Sequence, residues 1–149
     1  MKKKKVLLIC TGNTCRSPMA KVILEQKLKE LGQLDKFEIN SGAFNAPNYA
    51  GTNEFAREAI KKIYGQDLLA SHNSVNLTVI HIEQADLILT MTEKLKEGLP
   101  QNKSYTMQEY AGTSGDVSDS EEENLETYLE AAYQISGVMD RMIEKLLSS

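Results

Sequence analysis

The chain has 149 residues, 41% of them apolar and 26% charged, which suits one globular domain over residues 1–149. With Lys plus Arg at 17 and Asp plus Glu at 21, the net charge is −4, which argues against the basic face of a nucleic-acid binder. No apolar run is long enough to cross a bilayer, so no membrane partner is expected.

The run Lys2–Lys5 followed by Val6–Cys10 imitates the opening of a signal peptide. Its apolar part stops at once at Thr11-Gly12-Asn13, so it reads as a solvated strand entry instead. The 2 cysteines, Cys10 and Cys15, make no disulfide framework, and a reducing cytoplasm is the expected location. Val6–Ile9 has the continuous apolar character of a strand buried on both faces. Ser17-Pro18 signals a helix start, and Met19, Val22, Ile23, Leu24, Leu28 and Leu31 recur at helical spacing up to Gly32. Phe37–Ser41 reads as a second strand ending at Gly42. Thr52 is placed to cap a helix running through Ile63, with Phe55, Ala56, Ala59, Ile60 and Ile63 on one face. Ala85–Thr90 is a third strand, Thr92–Gly98 opens another helix, and Lys103–Met107 is a short fourth strand. Tyr110–Glu123 is loop-like. Leu125, Tyr128, Leu129, Ala132, Ile135, Val138, Met139, Met142, Ile143 and Leu146 form one long amphipathic helix. Alternating strands and helices predict an α/β fold with a parallel sheet, whose ligands sit beyond the carboxyl ends of the strands.

The segment Cys10-Thr11-Gly12-Asn13-Thr14-Cys15-Arg16-Ser17 lies at one such end. A phosphate dianion needs several converging donors, which the backbone N–H groups of a tight loop and a helix start provide. Gly12 and Asn13 tolerate the dihedrals such a loop demands. Arg16 can grip two phosphate oxygens side by side, a geometry lysine lacks. The combined positive field favours the thiolate of Cys10, a competent nucleophile toward phosphorus. Ser17 is placed to donate to that sulfur. The nucleotide P-loop pattern G-x-x-x-x-G-K-S/T is absent. A zinc site is disfavoured because only two cysteines exist and neither histidine is near them in sequence, so no metal and no cofactor are expected.

With this segment continuing into Pro18-Met19-Ala20, and with Ile39-Asn40-Ser41-Gly42-Ala43, Ser71-His72, Ala85–Thr92 and Gly115-Asp116-Val117-Ser118-Asp119, the chain resembles the low-molecular-weight protein tyrosine phosphatases. The resemblance covers essentially the whole chain. It implies a small four-stranded parallel sheet flanked by helices on both faces. The loop is most similar to that of the bacterial protein-arginine phosphatases, which reads C-T-G-N-T-C-R-S. Tyrosine-specific members commonly carry a larger apolar residue where Thr14 stands.

The same resemblance implies the roles of the site residues. Cys10 is the nucleophile and Arg16 binds the transferring group. Asp119 is the proton donor, with Asp116 as the fallback. The family's proline after the acid is replaced by Ser120, which leaves the acid loop less constrained. Thr11 through Ser17 bind phosphate, while Asn13, Ser41 and His72 brace the loop. Cys10 and Cys15 form a candidate reversible disulfide under oxidant. Glu121, Glu122 and Glu123 make either an acidic first turn of the last helix or an acidic rim that favours a cationic guanidinium. Phe44 and Tyr49 are candidates either for an aromatic wall or for core or loop packing, Tyr128 and Tyr133 for packing of the last helix, and His81 for a structural role.

The leading expectation is hydrolysis of phosphoarginine in proteins, with phosphotyrosine as the alternative. An arsenate reductase would need further cysteines, and a non-catalytic phosphate-binding module is supported only by Ser120. Phosphorylated proteins are the expected partners, and a monomer is the expected state.

Overall fold

The computed structural model describes residues 2–10, 16–44, 54–70, 76–113 and 124–148. Its sheet is organised around β1 (Lys4–Ile9). β1 pairs in parallel with β2 (Phe37–Gly42) on one side and with β3 (Leu87–Thr90) on the other. β4 (Ser104–Thr106) pairs in parallel with β3, giving the order β2-β1-β3-β4. Strand side chains alternate between the faces. Val6, Leu8, Leu87 and Leu89 therefore enter the larger core cluster, and Leu7, Ile9 and Ile88 enter the smaller one.

The larger face is covered by α1 (Arg16–Glu30), α2 (Glu54–Tyr64) and α6 (Leu125–Ser148), with the short α5 (Met107–Tyr110) at its margin. α6 buries Ala132, Ile135, Val138, Met139, Met142 and Leu146, and packs on both α1 and α2. Lys27 on α1 donates to Asp140 on α6 at 2.6 Å. Phe55 of α2 stacks on Tyr128 of α6, ring centroids 6.0 Å apart. The smaller face is covered by α3 (Val79–Gln84), through Ile82, and by Leu77, Ala85 and Leu99. The expected α/β class and four-stranded parallel sheet with helices on both faces are thus observed.

Several local expectations are corrected. The helix after Pro18 ends at Glu30, one residue before Leu31. Gly32, at φ +69°, donates to the Lys29 carbonyl at 3.0 Å while Gln33 donates to that of Leu28 at 2.8 Å. This paired closure turns Leu31 outward, and it is 52% exposed rather than part of the apolar stripe. Tyr133 is likewise exposed and packs nothing into the core. Tyr110 belongs to α5 and is buried, not part of a loop. The helix foreseen from Thr92 is a single turn, α4 (Glu93–Lys96), with Thr92 accepting from Leu95 N–H. Thr52, the expected cap of α2, lies outside the described residues.

α3 is held by a lysine from another element. Lys103 Nζ donates to the carbonyl oxygens of Ile82 at 2.7 Å, Ala85 at 2.7 Å and Glu83 at 3.3 Å. An ammonium at a helix carboxyl end satisfies carbonyls that lack intrahelical donors and complements the helix dipole. Lys103→Met keeps the stem and removes the charge. It is expected to cost roughly 1–2 kcal/mol, lowering the thermal midpoint by about 2–8 °C in a calorimetric scan. No described helix is long and apolar enough to cross a membrane.

Candidate active site at the carboxyl ends of the strands

The order β2-β1-β3-β4 makes β1 the point where the chain changes direction across the sheet. The connection through α1 carries it to β2 on one side, and the return passes β1 to reach β3 on the other. A crevice opens beyond the carboxyl ends of strands at such a point. Cys10 stands there, one residue past β1. Its N–H donates to the Gly42 carbonyl at the end of β2 at 3.3 Å. The carbonyl of Ile9 just before it accepts from Met91 N–H, past the end of β3, at 3.1 Å. The nucleophile candidate is thereby pinned from both neighbouring strands. Gly42 and Met91 act through backbone groups only, so no side-chain signal marks them in the sequence.

Cys10 is 2% exposed. Its Sγ lies 2.9 Å from Ser17 Oγ in the first turn of α1. A thiolate only accepts hydrogen bonds, so the Ser17 hydroxyl is the donor once Cys10 ionises. Ser17 is fully buried, and Arg16, which opens α1, is 5% exposed. An arginine so enclosed belongs beside an anion or a set of acceptors. The structure therefore brings two of the expected side chains into contact, the Cys10 sulfur and the Ser17 hydroxyl, with the buried Arg16 next to Ser17 where the amino end of a 15-residue helix faces the end of β1. That end of the helix carries partial positive charge and favours an anionic ligand.

Ser41 is buried on β2, where its register partner is Leu8 of β1. This position next to the end of the strand is compatible with bracing a loop that starts at Cys10. Phe44, two residues beyond β2, is 42% exposed and so is surface rather than core. His81 is not at the site. It is the third residue of α3, where its Nδ1 accepts from Thr78 N–H at 3.0 Å, a local structural role.

Thr11, Gly12, Asn13, Thr14 and Cys15 lie outside the described residues, as do His72, Asp116, Asp119, Ser120, Glu121 to Glu123 and Tyr49. The Cys10–Cys15 disulfide expectation also falls there. Among the described residues no group of three His, Cys, Asp or Glu side chains could hold a metal ion.

A buried thiol touching a hydroxyl, with a buried arginine at the start of the next helix, suits nucleophilic transfer of a phosphoryl group. Comparisons with known proteins lead to the same chemistry. The family model described as "Low molecular weight phosphotyrosine protein phosphatase" matches residues 5–148. A protein from Geobacillus stearothermophilus named "Protein-arginine-phosphatase" is 33% identical over 149 residues, covering 95% of each chain. A Staphylococcus aureus protein named "Low molecular weight protein-tyrosine-phosphatase PtpB" is 34% identical over 121 residues, covering 77% of this chain and 79% of its own. The crystal structure of a low molecular weight protein tyrosine phosphatase from T. tengcongensis superposes with a TM-score of 0.87 at 38% identity, covering 96% of this chain and 99% of that one. The chain belongs to the low-molecular-weight phosphotyrosine protein phosphatase family.

Proposed function

We propose that this chain is a cysteine-dependent protein phosphatase, one domain over residues 1–149, that hydrolyses phosphoarginine in cytoplasmic proteins. The observation that carries the chemistry is the 2.9 Å contact between Cys10 Sγ and Ser17 Oγ, with Arg16 beside it at the head of α1. The observations that carry the substrate are Thr14 in a loop reading C-T-G-N-T-C-R-S and the likeness to a relative named as a protein-arginine phosphatase.

In the first step the Cys10 thiolate attacks phosphorus in line with the departing nitrogen. The S–P bond forms as the P–N bond breaks, and Asp119 gives its proton to the guanidine nitrogen. Arg16 and the N–H groups of residues 11–17 stabilise the charge on the equatorial oxygens. In the second step water attacks phosphorus and loses a proton to the Asp119 carboxylate. The S–P bond breaks, inorganic phosphate leaves, and the thiolate returns to its hydrogen bond from Ser17. Asn13, Ser41 and His72 act as positioning residues for the loop.

Phosphotyrosine is the second reading, favoured by the likeness to the Staphylococcus aureus phosphatase. The test is kcat/KM on matched phosphoarginine and phosphotyrosine peptides, for the wild type and Thr14→Ile. Phosphoarginine is expected to be the better substrate, and Thr14→Ile to move the ratio toward phosphotyrosine by about tenfold, ~1.4 kcal/mol in relative barrier. A wild-type preference for phosphotyrosine of more than about tenfold would overturn the arginine assignment and leave the cysteine chemistry standing.

A further inference from the structure

A second concave region lies along the outer edge of β4. It is a cleft of about 470 Å³ bounded by α4, the 97–103 connection, β4 and Glu109 of α5. This size falls within the range of small-ligand and side-chain pockets. Among the described residues its charge is lopsided, with the carboxylates of Glu93, Glu97 and Glu109 set against the ammonium of Lys96. Lys96 is engaged by two of the three, at 2.7 Å to Glu109 and 3.0 Å to Glu93. The hydrogen bond from Lys96 holds the Glu109 carboxyl below the usual range, so it stays ionised. Glu97 makes no ion pair among the described residues. Lys103, on the same connection, is committed to the carbonyls of α3 and does not offset these charges.

Two observations point to a ligand rather than to a solvated acidic surface. Ser104 lines the cleft, is 5% exposed, and its hydroxyl has no hydrogen-bond partner among the described residues. A buried hydroxyl left unpaired is costly and uncommon. In addition, β4 is an edge strand. Ile88 N–H donates to the Lys103 carbonyl at 2.8 Å, and Ser104 is the register partner of Ile88. In a parallel ladder this alternation turns the Ser104 N–H and C=O away from β3, toward the open edge. One outward donor and acceptor match one residue of an extended chain. Lys145 already sits over the Tyr105 ring at 5.5 Å, so charge recognition falls to the carboxylates.

We infer that this cleft is a docking subsite for an extended cationic peptide segment: a Lys or Arg side chain lies among Glu93, Glu97 and Glu109 while its backbone pairs with Ser104. The subsite is separate from the Cys10 centre and does not depend on which phosphoamino acid is hydrolysed there. It gives the enzyme a means of holding basic stretches of a protein independently of the phosphate.

The test is a titration of the isotope-labelled full chain with a capped Gly-Arg-Gly-Arg-Gly peptide carrying no phosphate, followed by amide chemical shifts. Saturable shifts are expected at Lys96, Gly98, Ser104 and Tyr105. Glu97→Lys is expected to weaken the affinity by about tenfold, Glu97→Gln by about threefold, and added salt to weaken the wild type further. Both variants should keep the wild-type thermal midpoint, since Glu97 is exposed. Free argininamide should bind markedly more weakly, because it lacks the extended backbone. Shifts confined to the Cys10 end, an unchanged affinity in Glu97→Lys, or argininamide binding as tightly as the peptide would each overturn the inference. Phosphatase rates measured in parallel on a short phosphoarginine peptide report on the catalytic assignment separately.

Discussion

Cys10→Ser is expected to abolish turnover while leaving phosphate binding intact. The substitution changes one atom at a site where the thiol is 2% exposed and already in contact with Ser17, so little repacking is required. What is lost is the ionisable nucleophile. A serine hydroxyl stays protonated near neutral pH and is a far weaker nucleophile than a cysteine sulfur. The expected loss in kcat is at least ~10⁴-fold, in line with removal of nucleophiles from other covalent enzymes. Arg16 and the helix end remain, so calorimetric titration with inorganic phosphate should give an affinity close to that of the wild type. A variant retaining more than about one hundredth of wild-type kcat would remove Cys10 from the nucleophile role.

The second large effect is expected from Asp119→Asn, and the choice of substrate makes it diagnostic. General acid catalysis contributes roughly 10²–10⁴ in rate, and most where the leaving group is a poor one. The guanidine nitrogen of arginine needs a proton to depart. Nitrophenolate leaves readily without one. Asp119→Asn should therefore lower kcat on phosphoarginine by about 10²–10³ and on nitrophenyl phosphate far less. Asp116→Asn is the control and should leave both rates within about threefold of wild type. An equal loss on the two substrates would mean that Asp119 supports the loop instead of donating the proton. If Asp116→Asn gave the leaving-group-dependent loss, the acid role would move to Asp116.

Legibility in the sequence followed how far each signal reaches along the chain. Val6–Ile9 and Leu87–Thr90 are continuous apolar runs because both faces of the sheet are covered, and such runs can be read without tertiary knowledge. The long stripe of α6 is equally plain. α3 was not legible: it has six residues, too few to show a period, and it exposes Val79 and Ile80 at 71% and 61%. Its cap pairs Thr78 with His81 rather than with the Glu or Gln of the familiar pattern. α5 did carry that pattern, with Thr106 accepting from Glu109 N–H and Glu109 accepting from Thr106 N–H, but a strand reading of Lys103–Met107 concealed it. The strand order was not readable either, since it arises from pairings between segments as far apart as Ile9 and Thr90. At the site, Cys10, Arg16 and Ser17 were readable because they lie within eight consecutive positions. The backbone anchors at Gly42 and Met91 exist only once three strands have assembled.

The place of α6 after the other elements in chain order has a consequence for biogenesis. Residues 125–148 are synthesised after the sheet, α1 and α2, yet they supply six buried side chains and pack against both of those helices. Until they emerge, the surfaces of α1 and α2 that face α6 have no cover. Parallel pairing adds delay, because each strand must wait for a distant partner before its loop-closure entropy is offset. A chain interrupted before Leu125 would keep the whole Cys10–Ser17 segment and lose the α6 packing against α1 and α2. Partial chains of this kind expose apolar surface to aggregation and proteolysis.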